Sequence, residues 1–257
     1  MPSITLTKAV PQILETLTQK IQNAKEANRT PIVIFDLDGT LYDVTIRTFE
    51  ILRRFAHQPH IQEGFATEAK LLLKNLRRDK IQYSVEQTLN EMGITHYSEH
   101  SMEFLQRAIG FWFKNFFTDE LIAIDEAYPS ALKCVKWFYD QGVRVAYLSG
   151  RDVPNMIQGT LRSLEKHGFP HTGNQISVTL KPTYGLDDVL FKRQAVEAYR
   201  AEGEVIASFD NEPANVKMFI EEFPDAEHFH FNTHFAKWVH LEGPKLWQID
   251  SFEEVWG

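Results

Sequence analysis

The feature that most constrains the fold is a short apolar run, residues 32–35, that ends directly in two acids. The run Ile-Val-Ile-Phe is continuous rather than alternating, which is typical of a strand buried on both faces of a parallel sheet. Asp36 and Asp38 follow it, so their carboxylates lie at the carboxyl end of the strand, where open α/β sheets bind their ligands. Gly39 allows the chain to turn sharply after them. The alternative is a strand that ends in an ordinary polar turn, because Asp-Gly is a common turn pair.

Composition limits the class of protein. A chain of 257 residues with 43% hydrophobic residues can form one large domain, or a core and a smaller domain. The net charge of -8 argues against a protein that coats nucleic acid, although it leaves a local basic groove open. Cys134 is the single cysteine, so no internal disulfide forms. No apolar run approaches the roughly 20 residues needed to span a bilayer, and no signal-like stretch follows the start, so we expect a soluble, cytoplasmic protein.

Helical periodicity dominates the chain on both sides of this strand. Residues 8–26 place apolar side chains on one face, which predicts a helix that packs on the core; a helix that binds a partner is the alternative. Residues 43–125 show helical periods that predict about four helices, and Ser84 with Gln87 matches a capping box. Because this segment is too long for a simple crossover, it predicts an inserted helical domain.

The inserted segment also carries a group of basic residues and a group of aromatic ones. The basic side chains form either a solvated helix face or a face turned toward an anionic substrate: Lys70, Lys74, Arg77, Arg78 and Lys80. The aromatic side chains of residues 111–117 belong either to the core or to a surface on which bases stack.

After residue 129 the pattern alternates between strands and helices. Strands are predicted over residues 143–148, 175–180, 205–209 and 227–231, with helices over 154–167, 191–199 and 215–222 between them. This alternation predicts an α/β fold with a doubly wound parallel sheet and right-handed crossovers. His228, His230 and His234 are spaced for a strand and its turn, which indicates a structural role rather than metal binding.

Three predicted strands end in residues with candidate chemistry. These are Asp36 with Asp38, then Ser149, then Asp210. Since the carboxyl ends of parallel strands share one edge of the sheet, we expect these groups to converge although they lie far apart in sequence.

The motifs resemble those of the haloacid-dehalogenase-like (HAD-like) hydrolase superfamily, in the same order along the chain. Asp36-Leu37-Asp38-Gly39-Thr40 looks like the first motif, Leu148-Ser149-Gly150 like the second, Lys192 like the third, and Phe209-Asp210-Asn211-Glu212 with Asn215 like the fourth. The insertion lies where that family has a C1 cap, and the interval from Arg151 to Lys192 is too short for a substantial C2 cap. The resemblance therefore implies a HAD-like Rossmannoid core from residues 1–43 and 126–257, with a helical cap from residues 44–125.

The resemblance also implies roles for these residues in phosphoryl transfer. Asp36 would be the nucleophile, and Asp38 would donate and then accept a proton. Mg²⁺, which needs few carboxylates because it keeps several waters, would bind Asp36, the backbone carbonyl of Asp38, and Asp210. Either Glu212 or Asn215 would support the metal. The remaining candidates would bind the phosphate or substrate: Thr40, Ser149, Gly150, Arg151 and Lys192.

Some alternatives stay open at this point. Lys181 and Arg193 are rival cations to Lys192, and Arg151 either contacts substrate or pairs with Asp152. Asp38 argues against the dehalogenase branch, which lacks this acid.

The implied activity is Mg²⁺-dependent hydrolysis of a small phosphorylated metabolite through an aspartyl-phosphate. Three other functions remain: a phosphomutase, a phosphatase acting on nucleic-acid ends, and a non-catalytic binding protein on the same fold. Because the residues expected to be catalytic are all present, we expect an enzyme.

Overall fold

The computed structural model describes residues 10–95, 98–236 and 239–257. Six parallel strands form one sheet in the order β5-β4-β1-β6-β7-β8, and β2 and β3 form a separate antiparallel pair. In chain order the strands are β1 (Pro31–Phe35), β2 (Tyr42–Asp43), β3 (Glu126–Ala127), β4 (Arg144–Asp152), β5 (Ile176–Lys181), β6 (Glu204–Asp210), β7 (Glu227–Phe231) and β8 (Leu246–Ile249). The predicted doubly wound parallel sheet is confirmed.

The helices fall into those that flank the sheet and those inserted between β2 and β3. Flanking the sheet are α1 (Val10–Glu26), α8 (Ala131–Asp140), α9 (Val153–Lys166), α10 (Asp188–Glu202), α11 (Pro213–Glu222) and α12 (Glu253–Trp256). We call the others the inserted helices: α2 (Thr45–Ala56), α3 (Pro59–Gly64), α4 (Ala66–Asn75), α5 (Val85–Glu91), α6 (Glu99–Phe116) and α7 (Asp119–Ile122).

Alternate side chains of β1 enter two different apolar clusters, which places helices on both faces of the sheet. Val33 and Phe35 pack in a cluster with α1, α8, α9 and α12. Ile32 and Ile34 pack in another with α10 and α11. A strand buried on both faces in this way requires the continuous apolar run seen in the sequence.

The inserted helices have an apolar cluster of their own, which includes Leu52, Phe55, Leu89 and Phe104. The capping box predicted at the start of α5 is present, because Gln87 N donates to Ser84 Oγ and Ser84 N donates to Gln87 Oε1. We predicted about four helices here, and the described residues form six α-helices and a 3₁₀ helix at Arg78–Lys80. Helices α3 and α7 are too short to show a helical period in the sequence.

The structure corrects several predicted boundaries. Strand β4 continues to Asp152 instead of ending at Leu148, because its pairing with β5 shifts register after Ser149 and then resumes. Helix α10 begins at Asp188, three residues before the predicted start, because Asp187 caps it by accepting from Leu190 N at 2.9 Å. Strand β8 and helix α12 were not predicted, since each has only four residues. Residues 8 and 9 of the predicted first helix lie outside the described residues.

His228 is part of the sheet rather than of a ligand site. Its Nε2 lies 3.0 Å from the carbonyl oxygen of Phe223, which can only accept, so Nε2 carries the proton. Its Nδ1 then accepts from Ser208 Oγ at 2.8 Å. Burial lowers the pKa of His228 to about 4, with nearby Lys245 and Lys20 adding to this shift and the Phe223 hydrogen bond opposing it.

We expect this buried histidine to make folding sensitive to mild acid. Between its usual pKa of about 6.5 and the folded value of about 4, the unfolded chain binds a proton at His228 that the folded protein does not. Stability should therefore fall as the pH drops through this window, by up to about 1.4 kcal/mol per pH unit. Urea unfolding at several pH values measures how the free energy of unfolding changes with pH. In His228→Gln, the part of this change that lies between about pH 4 and 6.5 should be missing. Replacing the exposed His60 by Gln should leave the pH dependence of the unfolding free energy as it is in the unaltered protein. The same pH dependence in His228→Gln would contradict the role given to His228.

Candidate active site

Lys192 joins two carboxylates at the carboxyl ends of neighbouring strands. Its Nζ donates to Asp36 Oδ1 at 2.7 Å and to Asp210 Oδ2 at 2.6 Å, and all three residues are buried. Asp36 directly follows β1, Asp210 ends β6, and Asp36 N continues the ladder between these strands by donating to Phe209 O at 2.9 Å. Lys192 is the fifth residue of α10, so one helical turn separates it from the helix start.

Burial is the largest influence on the pKa of Asp36. It raises the pKa of Asp36 to about 8, while the charge of Lys192 opposes this shift and the charge of Asp210 adds to it. Burial also disfavours the charged form of Lys192, but the two carboxylates outweigh this effect and hold the pKa of Lys192 above its usual range. The lysine therefore stays protonated between the two acids.

The turn after β1 holds Asp36 and Asn211 close together. Gly39 has a φ of +80°, and a Cβ on it would overlap the side-chain amide of Asn211. Thr40 is fully buried, and its Oγ1 lies 3.4 Å from Asp36 Oδ2 and 3.3 Å from Asn211 Oδ1. This predicted phosphate-binding hydroxyl thus contacts Asp36 and is not on the cavity surface.

Asp38, unlike Asp36, is held by two arginines. Its Oδ1 accepts from Arg151 Nε at 3.0 Å and from Arg47 Nη2 at 3.1 Å. Burial alone would raise the pKa of Asp38, but the charges of Arg151 and Arg47 and their hydrogen bonds keep it well below its usual range. The two acids of the first motif therefore have opposite pKa shifts, which is how neighbouring carboxyl groups acquire different roles.

Asp125 completes this second cluster. It is fully buried, and it accepts from Arg47 Nε at 2.9 Å and from Arg151 Nη2 at 3.1 Å. Arg47 lies on α2, Asp125 just precedes β3, and Arg151 lies on β4, so the cluster ties the inserted helices to the sheet. Burial raises the pKa of Asp125, and the two guanidinium groups oppose that shift.

Arg47 was not identified from the sequence, although a signal was present. It lies four residues before Ile51 and eight before Phe55, so it shares the buried face of α2 with them. A charged residue on an apolar face points to a buried ion pair. Arg151 pairs with Asp38 and Asp125 rather than with Asp152, which instead caps α9 by accepting from Asn155 N at 3.1 Å.

The fourth motif supports Asp210 from two sides. Asn215 Nδ2 lies 3.2 Å from both carboxylate oxygens, and Glu212 contributes its backbone N–H, which donates to Oδ1 at 2.8 Å. The Glu212 carboxylate accepts from Ala236 N at 3.1 Å. Burial raises the pKa of Glu212 to about 7, against the hydrogen bond from Ala236. Of the two candidates, Asn215 is therefore the side chain that contacts Asp210.

A cavity of about 490 Å³ lies over these groups, between the sheet edge and the inserted helices. The predicted site residues on its surface are Asp36, Asp38, Ser149, Gly150, Arg151, Lys192, Glu212 and Asn215. Asp210 and Thr40 lie behind this surface. Ser149 and Gly150 come from the part of β4 where the register shifts, and a Cβ on Gly150 would meet Asp188 Oδ2 at 2.5 Å.

The other cations considered from the sequence lie elsewhere or are paired locally. Arg193 pairs with Glu221 and Glu222 on the surface. Lys181 lines the cavity and pairs with Asp188 at 2.6 Å. None of the five residues of the basic group lines this cavity. Arg78 lies next to it, because its Nε donates to the lining hydroxyl of Thr45 at 3.2 Å, and its guanidinium pairs with Asp43 and Glu126.

The carboxylates fit a divalent cation with few protein ligands. Within the described ranges, no three His, Cys, Asp or Glu side chains are arranged to hold a metal ion. When both carboxyl groups are ionised, Asp36 and Asp210 together with Lys192 leave one net negative charge, which a cation would neutralise, and the same cation would favour the carboxylate form of Asp36 against its raised pKa. Mg²⁺ accepts such a site because it keeps several of its waters.

The sequence comparison decides the family. A family model for haloacid dehalogenase-like hydrolases matches residues 30–221, well over half of the chain. The chain belongs to the haloacid dehalogenase-like hydrolase family. The expected family and the expected hydrolytic enzyme are therefore confirmed. No curated protein matches this hydrolase in sequence.

Solved structures share the fold of this HAD-like hydrolase. A candidate phosphatase from Clostridium difficile has a TM-score of 0.52 and 12% identity, covering 82% of this chain and 88% of its own. A HAD-superfamily hydrolase of subfamily IA from Geobacter sulfurreducens has a TM-score of 0.50 and 11% identity, covering 88% of this chain and 94% of its own. Over the described parts of the chain, no helix is long and apolar enough to cross a membrane.

The buried cluster around Asp125 yields a stability prediction. Asp125→Asn keeps the shape of the side chain but removes the charge that lies between Arg47 and Arg151. Because this leaves two buried guanidinium groups undercompensated, the free energy of unfolding should fall by about 3–5 kcal/mol. Urea unfolding measures this loss, with Asp79→Asn as the control, since the Arg77–Asp79 pair is exposed. A stability equal to that of the unaltered protein would refute the role given to this cluster.

Proposed function

We propose that the protein hydrolyses phosphate monoesters through an aspartyl-phosphate on Asp36. The observation that carries this proposal is the buried Lys192 bridge, which holds Asp36 on the cavity surface beside a second acid, Asp210. A lysine in this position offsets the repulsion between an anionic nucleophile and an anionic phosphate. The family match and the fold support the proposal.

The reaction proceeds in two displacements. In the first, an oxygen of the Asp36 carboxylate bonds to phosphorus, the bond from phosphorus to the ester oxygen breaks, and the leaving oxygen takes a proton. In the second, water attacks phosphorus, the bond from Asp36 to phosphorus breaks, and inorganic phosphate leaves. Asp36 returns to its carboxylate form.

Asp38 moves the proton in both displacements. The two arginines favour its carboxylate, which is the form that takes a proton from the attacking water. A bound phosphate dianion raises the pKa of Asp38 by like-charge repulsion, which favours the protonated form that the first displacement needs. Ser149 and the backbone near Gly150 supply donors to the phosphate oxygens.

Mg²⁺ is the cofactor that suits this site. Asp36, the backbone carbonyl of Asp38, and Asp210 would hold it, and Asn215 would orient Asp210. When bound, the ion supplies positive charge against the phosphate oxygens.

The inserted helices act as a cap over the site in this proposal. They supply the cavity wall opposite the sheet edge, with residues such as Ile81, Trp112 and Phe117. A small phosphorylated metabolite enters between this wall and Asp36. Closing the wall over the substrate excludes water from the reacting phosphate.

Removing the nucleophile should abolish turnover. Asp36→Asn keeps the shape of the side chain, but an amide is a far poorer nucleophile than a carboxylate, so phosphate release should fall to the background rate. Phosphate release with Mg²⁺ is measured on a panel of sugar phosphates, nucleotides, phosphorylated acids and phosphorylated DNA ends. Asp225→Asn, an exposed acid paired with Lys245, serves as the matched control. Turnover by a folded Asp36→Asn protein at the unaltered rate would rule out the covalent mechanism.

Metal removal should also stop the reaction. We expect no phosphate release after EDTA treatment, and recovery when Mg²⁺ is added. Asp210→Asn removes one of the two carboxylate ligands, so a higher Mg²⁺ concentration should be needed for half of the maximal rate. The measurement is a Mg²⁺ titration of the initial rate, with Asp225→Asn as control. Full activity in EDTA would contradict the metal requirement.

A further inference from the structure

The active-site cavity has two walls of different chemistry. The lining residues that lie between 44 and 117, on and between the inserted helices, are all uncharged. They include the aromatic residues Tyr83, Trp112, Phe116 and Phe117. Charged lining residues come from the sheet side, where the reacting phosphate is held. The wall that faces the rest of the substrate therefore offers no charge to a second anionic group.

The lysines and the arginine on the sheet side are already paired with acids, and the exposed His234 also lines the cavity there. Lys192 contacts Asp36 and Asp210, and Arg151 contacts Asp38 and Asp125. Lys181 Nζ donates to Asp188 Oδ1 at 2.6 Å and also to the carbonyl oxygens of Tyr184 and Leu186 at 3.2 Å. Among the described lining residues, no lysine or arginine is therefore left unpaired to neutralise a carboxylate or second phosphate on the leaving group, and Glu212 adds a further acid to this surface.

Aromatic rings at the cavity are left open to solvent. Tyr83 is 50% exposed and Tyr184 is 38% exposed, although both line the cavity. Tyr184 lies in the connection from β5 to α10. Its ring centroid is 4.9 Å from that of Phe117 on the facing wall, and the planes of the two rings are inclined by 69°. Exposed aromatic faces beside a cavity are suited to a flat apolar group, since such rings gain from stacked or edge contacts.

The polar groups on the wall of the inserted helices are neutral. Gln82 lines the cavity, as do two hydroxyls with partners of their own: Thr45 Oγ1 donates to Asp43 Oδ1 at 2.6 Å, and Thr48 Oγ1 accepts from Trp112 Nε1 at 3.0 Å. An amide and a hydroxyl can bind hydroxyl, amide or ring-nitrogen groups, but they do not neutralise a charge.

We propose that the substrate is a phosphate monoester whose leaving group is uncharged and carries a flat ring, so that the reacting phosphate is its one anionic group. This inference rests on the proposed function and narrows it. Within the cavity of about 490 Å³, the ring lies against Tyr83 and Tyr184 while the phosphate reaches Asp36. Substrates with a second phosphate or a carboxylate on the leaving group are disfavoured, because one wall is uncharged and the lysines and the arginine of the other are already paired with acids.

Three synthetic esters test the ring and the charge separately. Benzyl phosphate, ethyl phosphate and 4-carboxybenzyl phosphate are all primary alkyl esters, so they differ mainly in what enters the cavity. We expect kcat/KM for benzyl phosphate to exceed that for ethyl phosphate by about tenfold, because the ring contacts are made only by the former. The carboxylate should reduce kcat/KM relative to benzyl phosphate by about tenfold or more.

Substitutions in the uncharged wall test whether its residues cause the preference among the three esters. Tyr83→Ala should lower kcat/KM for benzyl phosphate by a larger factor than kcat/KM for ethyl phosphate, because only the benzyl ring contacts this side chain. Gln82→Lys places a cation on the uncharged wall, so it should raise kcat/KM for 4-carboxybenzyl phosphate relative to benzyl phosphate. Gln106→Lys makes the same charge change on an exposed part of α6 and should leave the ratio unchanged. Equal effects of the two lysine variants would overturn the inference.

Binding separates this inference from the proposed function. Calorimetric titration of the Asp36→Asn protein with the three esters ranks their affinities without turnover. The expected ranking in binding, with no hydrolysis by the unaltered enzyme, would overturn the proposed hydrolysis and retain the substrate class. Hydrolysis with ethyl or 4-carboxybenzyl phosphate equal to or better than benzyl phosphate would overturn the substrate class and retain the hydrolysis. No binding and no hydrolysis would overturn both.

Discussion

The arrangement of the site depends on one buried cation placed between two strand ends. Lys192 lies on α10, and its ammonium contacts Asp36 after β1 and Asp210 at the end of β6. Two buried carboxylates this close to one group would repel each other without it. Because β1 and β6 are neighbours in the sheet, the strand order decides that these two acids meet, and the helix that precedes β6 supplies the charge that holds them.

Asp38 belongs to a different electrostatic environment although it is two residues from Asp36. Three charged residues from different parts of the chain surround it: Arg47 from α2, Arg151 from β4, and Asp125 from the segment before β3. The same cluster that lowers the pKa of Asp38 also fastens the inserted helices to the sheet. Any movement of these helices would therefore change the contacts of the proposed proton carrier, which links closure over a substrate to the chemistry below it.

Most of the sheet and the positions of its acids could be predicted because they follow from local patterns. Continuous apolar runs identified β1, β4 and β6, and the acids or hydroxyls after them identified the edge where ligands are expected to bind. Elements too short to show a repeating pattern of apolar residues could not be predicted in this way. β8 and α12 have four residues each, and α3 and α7 make one or two turns. The end of β4 was misplaced because a register shift, rather than a turn residue, governs it.

The sequence by itself determined which residues are proposed to carry the chemistry, since Asp36, Asp38, Lys192 and Asp210 stand in motifs that can be read along the chain. Only the tertiary structure decided what each of them contacts. Arg47 and Asp125 are 78 residues apart, and their ion pair forms because the two ends of the inserted segment meet where β2 pairs with β3. The uncharged wall of the cavity is likewise assembled from α2, α6 and the segment before α5. Burial and pairing set the pKa shifts and the polarity of the cavity, and both depend on distances through space that no local pattern encodes.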